Sequence, residues 1–460
     1  MLYLALLLAA PDPQDVAARL IGGALSDGQA YAHVADLTET IGPRLSGSAG
    51  AAAAVKWGEA RMREDGLAVR LEPVKVPHWV RGEERGEILP GPGYVGHPLS
   101  LVALGGSVGT AQGGVTGEVV ELHSLAEIAA LGEKARGKIL FLNHTMGTKG
   151  GYGDWASLRA AGPADGGKVG AAAVLVRSLA TASLRSPHTG ATSYESGVPK
   201  VPAAAISTED AEMLHRLLER GPVQVKLVLG CRILPDADSF NVVGELRGRE
   251  KPDEVVLLGA HLDSWDLATG ATDDAAGVGI VMEAGRLIAK LGTAPRRTLR
   301  VVLFMNEENG LAGGKAYAVA HDAELRKHQA ALEADSGAGA PQAVQLHAGE
   351  GAARLLRPWL EPLSTLGLSE PVEGEAGGAD LSPQGPWGVP MLSIQQDTSR
   401  YFETHHSYAD TLDKVPPEAL ARTAAAVAVV AYALAEMPET LPRPAPSEPK
   451  PGSPTPQKAH

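Results

Sequence analysis

Four apolar runs in the second half of this chain each lead straight into a histidine or an acid. "VVLLGA" stops at His261, "VVLFMN" at Glu307 and Glu308, and "AALEA" at Asp335; "MLSIQQD" enters a loop carrying His405 and His406. Aliphatic runs with little alternation read as strands buried on both faces. Helical stretches separate them, and a long apolar one with Pro at its start, residues 416–437, closes the series. Strand–helix alternation predicts an α/β fold: an open, mixed but largely parallel sheet flanked by helices. Such sheets place their sites in the crevice beyond the carboxyl ends of the strands. Groups far apart in sequence are therefore expected to meet there.

The residue types narrow the chemistry. The chain has one cysteine, Cys231, so it has no internal disulfide and no thiolate metal knuckle. Ligands of the His and carboxylate type suit catalytic zinc, and also manganese or cobalt. Two ions sharing a carboxylate is the arrangement of two-metal hydrolases. Adjacent Glu307 and Glu308 cannot both point the same way from extended backbone, so one can bind metal while the other serves as a base. Asp263, two residues past His261, is placed to orient the imidazole as a hydrogen-bond acceptor. Asp266 and Asp274 read as solvated loop acids. Asp380 in "GGADLSP" either approaches the substrate or serves a turn.

Other chemistries fall away. With 54 acidic and 41 basic residues the formal charge is -13, which argues against a nucleic-acid partner. "GPGYVG" (91–96) has the spacing of a nucleotide loop but carries Pro92 inside it and no strand–helix context. "GGSVG" (105–109) has no helix after Ser107 to make a nucleophile elbow. No HExxH occurs.

Organisation follows composition. Residues 1–12 form a short apolar run, too short to span a bilayer, and read as a signal segment that directs the chain to the periplasm or outside the cell. No other stretch reads as a membrane span. Residues 13–109 hold helices, a loop "IGPRLSGSAG" and a strand, the N-terminal part of the main domain. Residues 110–236 read as a separate β-rich insert, 237–440 as the catalytic part, and the Pro-rich 441–460 as a disordered tail.

"GAHLDSWD", "GATDDAAG", "NEENG", "EADSG" and "HHSYADT" resemble the aminopeptidase S/Y family of two-zinc peptidases. The likeness spans most of residues 20–437, and the insert resembles that family's protease-associated domain. It implies two Zn2+ per chain. His261 and Asp335 would bind one and Glu308 and His406 the other, with Asp273 bridging and Asp273–Asp274 a cis peptide. It also implies Glu307 as general base, His405 as a group that holds the oxyanion or merely packs, and a homodimer. The expected substrate is a short peptide, a dipeptide with a free amino end. Asp380 or the Asp266 loop would meet its ammonium, with Arg400 as a carboxylate partner. Two alternatives stay open: glutaminyl cyclase-like acyl transfer on a related scaffold, and a metal-free receptor-like binding protein.

Overall fold

The computed structural model describes residues 12–147, 151–368, 370–449 and 454–455. The expected signal segment lies almost wholly outside the described residues. Two eight-stranded mixed sheets, flanked by helices, make up the chain.

The first sheet runs, by residue range, 68–80, 232–246, 297–304, 251–261, 328–333, 391–396, 341–347, 372–373. Its four central strands, 297–304 to 391–396 in that order, are mutually parallel. They are the four runs that end in histidine or acid. Strands 297–304 and 328–333 are buried along their whole length, as a sheet covered on both faces requires. Helix Pro417–Glu436 packs against Pro13–Asp27 and Ala276–Ala289 on one face. It is long and apolar enough to cross a membrane, yet 78% of its apolar window is buried inside the protein, which makes it a core helix. Arg297, fully buried, fastens its end by donating to the carbonyls of Leu434, Met437 and Glu439 and to Glu254.

The second sheet runs 97–98, 84–88, 224–229, 115–122, 139–142, 173–177, 203–206, 101–103. Two of the expected boundaries move. Strands 84–88, 97–98 and 101–103 pair into this sheet and not into the main domain, while Arg232–Leu234 already pairs with Val80–His78 in the first sheet. The strands of the second sheet thus run from residue 84 to 229, against the expected 110–236. Nor is this part simply β-rich. Its strands 115–122, 139–142, 173–177 and 203–206 are parallel, and helices Leu125–Leu131, Tyr152–Lys168 and Thr208–Leu218 accompany them.

The tail also departs from expectation. Leu441 is buried, and Arg443 donates to the carbonyls of Leu325, Arg326, His328 and Trp387. Ser447 N–H reaches Gly385 O at 3.1 Å. The first part of the Pro-rich segment is docked because one arginine satisfies four carbonyls at once, which composition does not register.

Candidate metal centre

The carboxyl ends of the four parallel strands do converge. His261 ends its strand with Nε2 at 3.0 Å from Asp273 Oδ1 and 3.7 Å from Asp335 Oδ1. The second oxygen of Asp273, Oδ2, lies 3.2 Å from His406 Nε2 and 3.5 Å from His405 Nε2. His406 Nε2 also lies 3.1 Å from Glu308 Oε2. The donor atoms of His261, Asp273 and Asp335 fall within 4.8 Å of one another, as do those of Asp273, His405 and His406. Asp273 therefore stands between two groups, with Asp335 on the His261 side and Glu308 on the His406 side.

Electrostatics favours cations there. Asp273 and Glu308 are buried, and Asp335 and Glu307 keep partial exposure. Burial, with Asp273 alongside, pushes Glu308 up to about 7. Burial and the carboxylates of Asp335 and Glu308 raise Glu307 well above the ordinary range. Asp273 is held well below it, because His261 and His406 outweigh its burial. Its Oδ2 accepts no hydrogen bond although it is buried. Crowded carboxylates with imidazole nitrogens and an unpartnered oxygen fit metal ions of the zinc type, with no thiolate among the donors.

The loops are held from below. The Asp273–Asp274 peptide is cis. Asp410 accepts from Thr272 N at 2.7 Å and Asp273 N at 3.2 Å. Asp274 is not a solvated acid: it is fully buried and accepts from His261 N at 3.1 Å and Gly277 N at 3.0 Å. Arg44, from the "IGPRLSGSAG" loop, is fully buried and donates to the carbonyls of Leu262, Thr269 and Gly270. Asp263 serves differently from expectation. It is its backbone carbonyl that meets His261 Nδ1, at 3.0 Å, while its carboxylate accepts from Asn306 N and Glu307 N.

Three residues expected near the substrate are placed as well. Asp380 has no exposure, and neither of its carboxylate oxygens has a hydrogen-bond partner, so it is not a substrate contact on this surface. Asp266 is gripped by Arg81. His405 is stacked on His406 at 3.6 Å between centroids and boxed by Tyr152, Tyr401 and Phe402. Burial, with His406 beside it, holds its pKa well below the usual value. Sequence reasoning missed Trp265, Thr189, Arg44 and Asp410. Trp265 and Asp410 sit inside the quoted motifs and Arg44 inside the N-terminal loop, but nothing around Thr189 marks it.

Comparison with known proteins agrees with this geometry. The model for peptidase family M28 matches residues 241–431, a span that contains all five candidate metal ligands. Carboxypeptidase Q of Mus musculus is 40% identical over 435 residues, covering 94% of this chain and 91% of that protein. The crystal structure of a peptidase M28 precursor from Shewanella amazonensis superposes with a TM-score of 0.90 at 40% identity, over 95% of this chain and 99% of that one. A zinc aminopeptidase from Bacillus subtilis shares the fold, with a TM-score of 0.65 at 20% identity over 89% of this chain and 95% of its own. The resemblance carried by the five motifs is borne out: the chain belongs to peptidase family M28 and is a zinc-dependent exopeptidase.

Proposed function

We propose that the enzyme binds two zinc ions and hydrolyses short peptides, dipeptides with a free amino end among them. The observation that carries this reading is the placement of Asp273, whose two oxygens face different histidines at 3.0 and 3.2 Å. His261 and Asp335 would hold one ion, and Glu308 and His406 the other. When bound, zinc supplies Lewis acidity, polarising a carbonyl and acidifying a water. Glu307 would take a proton from the attacking water as its oxygen bonds to the scissile carbonyl carbon, and would pass that proton to the amine nitrogen as the C–N bond breaks. Its backbone is pinned to Asp263 Oδ1 at 3.0 Å, which fixes where the carboxylate starts from.

A groove of about 370 Å3 lies against Thr272 and Ser336, the neighbours of Asp273 and Asp335. Its size suits a short substrate. With Asp380 buried and Asp266 engaged, the ammonium partner falls to the groove. There Glu403 pairs with Arg400 and Asp413 with Lys414, whereas Asp397 has no cationic partner among the described residues.

Two measurements test this. Glu307→Gln is expected to lower kcat by about 10²–10⁴-fold or more while the zinc content stays at two; retained turnover would refute the base assignment. A dipeptide, its N-acetyl form and its C-terminal amide separate the ends. Equal cleavage of the N-acetyl form would refute recognition of the amine.

A further inference from the structure

The two sheets support the two halves of the centre unequally. On the His261 side the first sheet suffices. His261 Nδ1 meets Asp263 O at 3.0 Å and its N–H meets Asp274 Oδ2 at 3.1 Å, all within one strand-end loop. On the other side both ligands lean on the second sheet. Glu308 Oε1 accepts from Trp265 N at 3.1 Å. The Trp265 indole is buried in the second sheet's own apolar core, with Ile88, Leu101 and Leu227. It lies on Gly105, where a Cβ would fall 1.9 Å from the ring, so only glycine fits. The next residue, Asp266, takes the Arg81 guanidinium at 3.0 and 2.9 Å from Nε and 2.5 Å from Nη2.

His406 is held the same way. Its Nδ1 lies 3.3 Å from Thr189 O, and Thr189 N–H donates to His406 O at 2.9 Å. A carbonyl that accepts from Nδ1–H leaves Nε2 free for metal. The two supports meet at one atom. Ala103 O, on the short strand 101–103, accepts Arg81 Nη1 at 2.7 Å and Thr189 Oγ1 at 2.8 Å.

We propose that the second sheet sets the affinity of one metal position, the one formed by Glu308 and His406, and leaves the His261–Asp335 position untouched. Arg81, Gly105 and Thr189 are positioning residues in this scheme: none touches metal or substrate, and each acts through Trp265 or His406. The inference rests on the two-zinc reading above.

The test is zinc content against buffered free zinc, on the full chain, with thermal midpoints recorded in parallel. Wild type is expected to hold two equivalents. In Arg81→Ala and Gly105→Ala one equivalent should need about 10–100-fold more free zinc, the other none. Arg81→Lys should recover part of the loss. Thr189→Val, which removes only the hydroxyl bond to Ala103 O, gives a milder perturbation in the same direction should Arg81→Ala fail to fold. Arg249→Ala, which breaks the remote pair with Glu436, serves as a stability control and should move neither equivalent. Both equivalents weakening together, or neither weakening, overturns the inference. Fewer than two equivalents in wild type overturns the two-zinc reading and the inference with it.

Discussion

The Asp263 carboxylate has no exposure, and its Oδ1 accepts both Asn306 N at 2.7 Å and Glu307 N at 3.0 Å. Oδ2 has no hydrogen-bond partner. Removing the side chain leaves two backbone donors unpaired in a dry site, at about 1–3 kcal/mol each. Asp263→Ala is therefore expected to lower both the thermal midpoint and kcat. Asp263→Asn, which keeps Oδ1 in place, should retain most of both. Equal losses in the two variants would mean that the charge matters and not the hydrogen bonds. The sequence places Asp263 beside His261 through spacing alone. Spacing does not say which oxygen of a residue turns where, and here the backbone carbonyl meets the imidazole while the carboxylate supports the next strand's loop. Asp274 was misread for a related reason: an acid in a Gly-rich loop looks solvated until the loop is seen folded under His261.

Among the elements, strand 297–304, helix Ala312–Ala320 and strand 328–333 are joined by a polar chain. Arg300 donates to Tyr317 Oη at 2.7 Å, Tyr317 Oη lies 2.9 Å from His328 Nε2, and His328 Nδ1 lies 3.1 Å from Glu324 O. With Nδ1 donating to a carbonyl and Nε2 accepting from the Tyr317 hydroxyl, His328 is neutral. Burial, reinforced by Arg300, pushes its pKa down to about 3. The unfolded chain takes up that proton near pH 6.5, so stability is full above 6.5 and falls as pH drops towards 3. Between pH 7.5 and 5.5 the loss from this residue is about 1.4 kcal/mol, fixed by the unfolded pKa. Urea unfolding of wild type and His328→Gln at the two pH values should differ by that slope; identical slopes would rule it out. The central strands and helix 417–436 were legible because long apolar periodicity has few readings. Strands 84–88, 97–98 and 101–103 were not, being two to five residues long, the first two largely polar. The docked start of the tail was hidden for want of any periodicity.

For the molecule as a whole, metal and fold should be linked. A site crowded with buried carboxylates gains stability from bound cations, about 2.7 kcal/mol per ion at a hundred times its Kd. Chelation is expected to lower the thermal midpoint and zinc to restore it, with magnesium ineffective because the donors include imidazole. An unchanged midpoint after verified zinc removal would contradict this. The fold class was readable from the order of strands and helices, but the joint between the sheets was not. Arg81 and Asp266 are 185 positions apart, and nothing local to either announces the other. The packing of helix 417–436 against helix 13–27 also has a bearing on synthesis. Helix 13–27 finds this partner only when helix 417–436 emerges, and His406 arrives shortly before it. All strands of the second sheet lie between residues 84 and 229, and so are made before any of the candidate metal ligands. Domains fold as units during translation. The nascent chain thus carries this platform before it has a peptidase centre, and proteolytic competence waits for residues 261 to 406 to follow it.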